Sequence, residues 1–398
     1  GTHESPDQYS VFAEVDLSAI RHNVRTLMDR AAPSDLMAIV KADAYGHGAA
    51  HVAPVLEDEG VRAFAVARLA EGIELRDAGI RGRILVLGAP LPGDLPVCME
   101  RGLDVTVSSE DVAQRVIDHA NESDTTIRVH LKVDTGMSRL GVSTEAAVAA
   151  YRQLSDVPTI DVVGVWTHFA MADDPGQSFT STQRQRFTAL LHELGDVPYH
   201  LENTGALMTG EGVNRTRASG NGSRSNGFDE PSQPPAYVRA GIAVYGLAPS
   251  QAMDQDPNLR LGLAPALTLK ARVTHLQTVQ PGTSVSYGAT WTATRPTRIA
   301  TLGAGYGDGY PRLGSGRATV HIGGEQRPVV GNICMDMCMV DLGAPSGDLA
   351  RRVEVGDAAT LFGPRGPTTY DVADWAKTIP YEICCGLSRR VPRIYRDA

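Results

Sequence analysis

Between Ser34 and about Gly246 the chain alternates short β-branched or apolar runs with longer stretches whose apolar residues fall three and four apart. This alternation constrains the fold more than any other feature. Runs at 36–41, 63–67, 84–87, 104–107, 128–133, 162–168, 200–203 and 237–245 read as strands. Stretches such as 70–78, 110–121, 146–154 and 183–194 read as helices. Eight strands alternating with helices over roughly 210 residues is the count of a (β/α)8 barrel. Met37-Ala-Ile-Val40 and Ile84-Leu-Val-Leu87 are apolar throughout, as strands covered on both faces are.

Past about Gln251 the texture changes. Candidate strands at 267–277, 297–302, 318–322, 327–342 and 358–362 are separated by Gly/Pro turns, with one short helical stretch at 372–377. The expected fold is therefore α/β, a TIM-like (β/α)8 barrel followed by a separate, mainly-β C-terminal domain. Residues 1–16 form an N-terminal segment whose strand, 11–15, would pair with that C-terminal domain. Residues 17–250 form the barrel and 251–398 the β domain. A Gly-, Pro-, Ser- and Asn-rich stretch at 210–235 reads as a flexible insertion between strands seven and eight, with Arg215, Arg217 and Arg224 as solvated loop residues.

The 37 Lys and Arg against 46 Asp and Glu give a net charge of −9, which argues against binding a phosphate backbone. No apolar run approaches the ~18 residues of a membrane span. The polar, acidic stretch 1–9 lacks the apolar core of a signal peptide, and five cysteines fit a reducing cytosol better than a disulfide framework. A cytoplasmic enzyme with neither nucleic-acid nor membrane partners is expected.

Barrel enzymes carry their chemistry at the C-terminal ends of the strands. Those ends hold Lys41, Lys132, His168, Asn203 and Arg239, with Tyr45 and Arg139 just beyond. One such residue would be unremarkable; five at one end of a barrel are not. A lysine ending an apolar strand is partly desolvated, which lowers its pKa and suits it to Schiff-base formation. Gly241-Ile242 and Asn203-Thr204-Gly205 supply backbone N–H groups and a hydroxyl where barrels often hold phosphate. A lysine, a phosphate cradle and an arginine for a ring nitrogen are together what pyridoxal 5'-phosphate needs.

Val40-Lys-Ala-Asp-Ala-Tyr-Gly-His-Gly48 closely resembles the cofactor-lysine segment of the alanine racemases. So do Lys132-Val-Asp-Thr-Gly-Met-Ser-Arg-Leu-Gly141, Arg239-Ala-Gly-Ile-Ala-Val-Tyr-Gly246, Ser286-Tyr-Gly-Ala-Thr290, Gly305-Tyr-Gly-Asp-Gly-Tyr-Pro-Arg312 and Cys334-Met-Asp336, in the family's order. The resemblance implies a fold-type III pyridoxal-phosphate enzyme, a homodimer with active sites shared between subunits. It would interconvert L- and D-alanine and supply D-alanine for a bacterial-type cell wall. It further implies that Lys41 holds the cofactor and serves as base on one face of the substrate, and that Tyr287 from the second subunit serves the other face. Arg239 would face the pyridine nitrogen, and Tyr45, Thr204, Gly241, Ile242 and Tyr381 would hold the phosphate. Arg139 and the Met335 backbone would contact the substrate carboxylate, His168 and Asn203 would orient Arg239 and its surroundings, and Tyr306 and Arg312 would line the entrance. Lys132 resembles a lysine that is carbamylated in this family.

Thr204 replaces the family's usual serine but keeps the hydroxyl, and Asn332 stands where several relatives have arginine, implying a change at the entrance. Gly303-x-Gly305-x-Gly307-x-Gly309 is not read as a dinucleotide loop, because Pro311, Gly314 and Gly316 follow instead of a helix. Cys334, Cys338, Cys384 and Cys385 lack zinc-ribbon spacing and read as buried free thiols. The Asn121, Asn214 and Asn221 glycosylation patterns are discounted for want of a secretory route. Two further readings keep the scaffold: a broader amino-acid racemase, or a decarboxylase, which would not need two faces. A non-catalytic pyridoxal-phosphate carrier would resemble the barrel alone, without the domain that holds Tyr287.

Overall fold

The structure, a computed structural model, describes residues 6–122, 125–174, 178–210 and 233–397. Of the 210–235 insertion, residues 211–232, with Arg215, Arg217 and Arg224, lie outside the described residues.

Eight parallel strands follow one another around a nearly closed barrel: Asp35–Ile39, Ala63–Val66, Arg83–Val86, Asp104–Val107, Ile127–Asp134, Ile160–Trp166, Tyr199–His200 and Tyr237–Ala240. The eighth pairs with the first, Val238 opposite Leu36. The seam between the seventh and eighth is bridged where the Ala236 N–H donates to the Tyr199 carbonyl (2.8 Å) and the Arg239 N–H to the Glu202 carbonyl (3.1 Å). Three of the helices begin on side-chain caps that satisfy their first free N–H groups. Ser109 accepts from the Val112 N–H, Ser143 from the Ala146 N–H, and Asp16 from the Ala19 N–H ahead of Leu17–Ala31.

Two strand expectations need correction. The run 200–203 leaves the sheet after His200, because Asn203 is the cap of a helix, Thr204–Thr209. The run 237–245 is a strand only to Ala240; Gly241 turns the backbone to φ −104°, ψ −104°, and Ile242–Tyr245 is a 3-10 turn. Both corrections matter for the site, since they convert strand ends into turns that present backbone N–H groups.

The second sheet orders its strands Thr297–Leu302, Cys338–Asp341, Glu325–Val330, Thr319–Ile322, Ala358–Phe362, Leu267–Val279, Val11–Asp16 and Arg393–Arg396. The long strand Leu267–Val279 changes partner along its length. It pairs with Ala358–Phe362 through Leu269–Arg272, then with Thr297–Leu302 from Val273 onward, with a register shift between Val273 and His275. Val11–Asp16 lies antiparallel to Leu267–Val279 and parallel to Arg393–Arg396. The expected strand 327–342 is two strands, Glu325–Val330 and Cys338–Asp341. Gly331 breaks it: φ is +69°, and a Cβ there would sit 2.5 Å from the Val285 carbonyl oxygen. The helix expected at 372–377 spans Thr369–Ala376, and a second, Pro380–Cys385, follows it with proline in its first turn.

Asn23, fully buried on Leu17–Ala31, latches the barrel to the connector leading into the second domain. Its Nδ2 donates to the carbonyls of Val244 (3.2 Å) and Ala264 (2.9 Å), and its Oδ1 accepts from the Ala264 N–H (2.8 Å). Asn23→Leu keeps volume but orphans these groups, and should lower the denaturant unfolding free energy by about 3 kcal/mol. An unchanged midpoint would show that the latch contributes nothing.

Candidate active site

The first barrel strand runs into a left-handed turn. Ala42, Asp43, Ala44 and Tyr45 all have φ between +52° and +55°. For L-residues this costs about 1–2 kcal/mol each, so four in a row persist only where neighbours over-determine them. The neighbours do so here. The Ala42 N–H donates to Glu71 Oε1 (2.7 Å), while Glu71 Oε2 takes the Ala67 (2.7 Å) and Arg68 (3.0 Å) N–H groups. His47 Nδ1 lies 3.1 Å from the Ala44 carbonyl and 3.0 Å from that of Tyr45, so it carries a proton and donates. Burial holds this imidazole down to about 4, hence neutral. Arg393 Nε donates to the Gly46 carbonyl (3.0 Å) from the last strand of the second sheet. The turn sends Lys41 and Tyr45 into the same cavity.

That cavity encloses about 630 Å³ at the C-terminal end of the barrel. It brings together Lys41, Tyr45, Lys132, Arg139, His168, Asn203, Thr204, Arg239, Gly241, Ile242 and Tyr381. Burial, with Arg139 nearby, lowers the Lys41 amine from its ordinary range. Lys132 is pushed down to about 7 by burial and by repulsion from Arg239 and Arg139. Arg239, 3% exposed, is lowered by burial to about 9. Burial and the surrounding cations hold His168 well below its ordinary range.

One wall is shaped for an anion. Thr204 Oγ1 accepts the Gly241 N–H at 2.9 Å, and a Cβ on Gly241 would lie 2.7 Å from the Tyr45 hydroxyl, so only glycine leaves this space open. Tyr381 stands across from Tyr45, ring centroids 6.0 Å apart. Burial pushes both phenols well up, which keeps them protonated donors.

Arg239 is oriented differently from expectation. Its Nη1 is 2.6 Å from His200 Nδ1, and its Nη2 donates to the carbonyls of Thr167 (2.7 Å) and Leu201 (3.0 Å). His168 is a looser contact at 3.4 Å. Asn203 does not orient Arg239: its Oδ1 accepts the Ala206 N–H and its Nδ2 reaches toward the Phe169 carbonyl. Sequence reasoning overlooked His200 and Trp166, whose indole lies 4.5 Å from Lys132 Nζ and 4.9 Å from the Arg239 guanidinium. Cys385 also needs correcting, since it is exposed and lines the cavity, whereas Cys338 and Cys384 are buried and Cys334 half-buried.

Tyr287, Met335, Tyr306 and Arg312 do not line this cavity. They gather on the second domain. Asn332 Nδ2 donates to the Tyr287 carbonyl (2.7 Å), the Tyr306 N–H donates to the Cys334 carbonyl (3.0 Å), and Ser315, whose Oγ donates to the Arg312 carbonyl, accepts the Ile333 N–H. The Tyr287 side chain is 74% exposed and Met335 52%. Asn332 thus bears on the Tyr287 turn itself.

Glu71→Gln would turn an amide N–H against one of three backbone N–H groups. It should cost about 2 kcal/mol of stability and reduce trapping of Lys41 by an aromatic aldehyde and borohydride, read by peptide mapping. Unchanged trapping and unchanged stability together would show that the turn does not need this carboxylate.

Two adjoining family domains cover the chain: the alanine racemase N-terminal domain matches residues 15–249 and the alanine racemase C-terminal domain residues 266–395. An alanine racemase of Desulforamulus reducens is 39% identical over 392 residues, spanning 97% of this chain and 98% of its own. Among solved structures, the alanine racemase of D-cycloserine-producing Streptomyces lavendulae superposes with a TM-score of 0.85 at 36% identity, covering 99% of this chain and 98% of its own. That of Bartonella henselae, solved with covalently bound pyridoxal phosphate, gives 0.83 at 27% identity, covering 98% and 100%. On these grounds the chain belongs to the alanine racemases, isomerases that act on alanine.

Proposed function

We propose that the chain racemises alanine with pyridoxal 5'-phosphate, using Lys41 on one face of the substrate and the partner subunit's Tyr287 on the other. The observation that carries this reading is the cavity itself. It combines an amine with a lowered pKa, an anion-shaped wall closed to any Cβ at Gly241, and a buried guanidinium. These residues fit a planar aldehyde bearing a phosphate. When bound, pyridoxal phosphate supplies an electron sink that acidifies the substrate's α-C–H bond.

The protein's own groups do the rest. The lowered pKa leaves a larger share of Lys41 as free amine near neutrality, and only that form attacks a carbonyl or takes a proton at Nζ. Activity carried by this amine is lost as the pH falls through its pKa. Tyr45, Thr204 and Tyr381 would hold phosphate oxygens through O–H donors and Ile242 through its N–H, while Gly241 leaves the space open and its N–H orients the Thr204 hydroxyl. Arg239 offers a donor, rather than an acceptor, to a ring nitrogen and leaves it unprotonated. Arg139 and the Met335 backbone hold the substrate carboxylate, and Tyr306 and Arg312 line the entrance. The Tyr287 phenol acts from a neighbouring copy, which accounts for its exposure on a domain face away from its own cavity. The product serves as D-alanine for cell-wall synthesis in the cytoplasm.

Lys132 sits as a weakened cation among cations. A carbamate formed on its free amine would replace that repulsion from Arg239 and Arg139 with attraction. Native mass measurement at pH 8 in bicarbonate should show the carbamate on Lys132, with loss on acidification below about 7, where the amine protonates. Only unmodified Lys132 at pH 8 would overturn this assignment.

Tyr287→Phe should slow racemisation by about 10²–10⁴-fold, the usual range for a positioned acid or base. Mixing inactive Lys41→Ala and Tyr287→Phe chains should restore about a quarter of native activity, because half the dimers of a two-fold assembly are hybrids with one intact site. No recovery after verified subunit exchange would place both groups in one chain.

A further inference from the structure

Arg239 begins a hydrogen-bonded chain that crosses the barrel interior. Its Nη1 lies 2.6 Å from His200 Nδ1; His200 Nε2 lies 3.0 Å from His130 Nδ1; His130 Nε2 lies 3.4 Å from Asp104 Oδ2. Asp104 in turn accepts from Arg128 Nε (2.6 Å) and Arg83 Nη1 (3.1 Å). The four linked residues come from strands eight, seven, five and four, and each is at most 3% exposed. The Trp166 indole stacks on His200, centroids 5.5 Å apart and planes within 6°, fixing the ring's tilt.

The two ends dictate the middle. A guanidinium only donates and a carboxylate only accepts. His200 Nδ1, facing a donor, must be bare, so the neutral ring carries its proton on Nε2 and donates to His130 Nδ1. That nitrogen is then bare as well, and the His130 proton sits on Nε2, facing Asp104. Reversing the order would aim an Nδ1–H of His200 at an N–H of Arg239. Burial lowers both imidazoles from their ordinary range, which agrees with two neutral rings. A buried network with one satisfied proton arrangement is stiff, because every alternative leaves donors opposed in a low-dielectric interior.

We propose that His200, His130 and Asp104 are positioning residues, a one-way proton order that holds Arg239 as a fixed donor group in the wall of the cavity. The functional value of this order rests on the reading in which Arg239 meets the ring nitrogen of pyridoxal phosphate; the order itself does not. It makes Arg239 dependent on a carboxylate two side chains away that touches neither cofactor nor substrate.

The test uses cofactor-free protein labelled with ¹⁵N in histidine. The spectrum should show both buried rings with a protonated Nε2 and a bare Nδ1. His130→Phe keeps a ring in place but removes the acceptor for His200. It should leave the His200 Nε2–H in place but without an acceptor, so that its hydrogen-bonded shift is lost, and weaken pyridoxal-phosphate affinity about tenfold. His130→Asn, whose Oδ1 replaces the Nδ1 acceptor, should restore the hydrogen-bonded Nε2–H shift and most of the affinity, a rescue that mere loss of packing would not give. His47 contributes its own Nδ1–H, but an Nδ1–H assigned to His130 or His200 of the unsubstituted chain overturns the proposal even if neither variant folds, and so does identical behaviour of the two variants. Failure of pyridoxal phosphate to attach to Lys41, with the imidazole spectrum as expected, would instead sink the cofactor reading.

Discussion

Burial of cationic side chains around one cavity governs this molecule. Lys41, Lys132, Arg139 and Arg239 all line it, against one lining carboxylate among the described residues, Asp173. Burial removes the water that would otherwise stabilise the charges of Lys41, Lys132 and Arg239, and the neighbouring guanidinium of Arg139 lowers them further. Displacing Lys132 from 10.5 to about 7 corresponds to roughly 5 kcal/mol against its charged form. Such a cavity favours anions, which suits the phosphate and substrate carboxylate proposed for it. The same burial, with Arg139 nearby, raises the share of Lys41 present as free amine.

A crowded cavity of this kind has to be rigid, and Glu71 and His47 within the barrel are joined in this by contacts from outside it. The left-handed turn after Lys41 is wedged against the C-terminal segment. A Cβ on Gly46 would lie 2.1 Å from the Cys384 carbonyl oxygen, and one on Gly48 would lie 1.8 Å from the Tyr395 hydroxyl. Tyr395 also stacks on His51, centroids 4.0 Å apart, and Arg393 bonds the turn at Gly46. The strand that carries Arg393 and Tyr395 is anchored beside Val11–Asp16. Chain ends thus meet behind the reactive lysine, and the strain at Ala42–Tyr45 is held by contacts made hundreds of residues away.

This division explains what the sequence disclosed and what it withheld. Lys41, His168 and Arg239 were legible because each ends or interrupts a strongly apolar strand, and such a position can be read one strand at a time. The chain from Arg239 to Asp104 was not, because its four members lie on four strands and meet only once barrel closure and register are set. One local hint existed: His130 and Lys132 sit two apart on one strand, hence on one face, where aliphatic residues are the norm. The end of strand eight was misjudged because Ile242-Ala-Val-Tyr245 is apolar enough for strand, and that of strand seven because no glycine or proline marks it before Asn203; the Asn203 cap and the Gly241 backbone turn both out of the sheet. Helix Pro380–Cys385 was missed because its six residues are too few to show periodicity.

The surroundings of Tyr287 extend the argument beyond one chain. Ser286 holds φ at +70° and its Oγ donates to the Asn332 carbonyl at 2.5 Å, while the Asn332 side chain takes the Tyr287 carbonyl. A non-glycine residue in this region costs on the order of 1 kcal/mol or more, and such strain persists where the surrounding structure imposes it. Here it is imposed to fix the direction of a phenol that is three-quarters exposed, next to Met335 and Tyr306, which are also exposed. An ordinary solvated tyrosine needs no such bracing. A strained and doubly tied turn around an outward-facing phenol is instead what a group needs if it must reach a definite point on another surface. Serving the barrel of another copy, as proposed for Tyr287, asks for a phenol braced in this way.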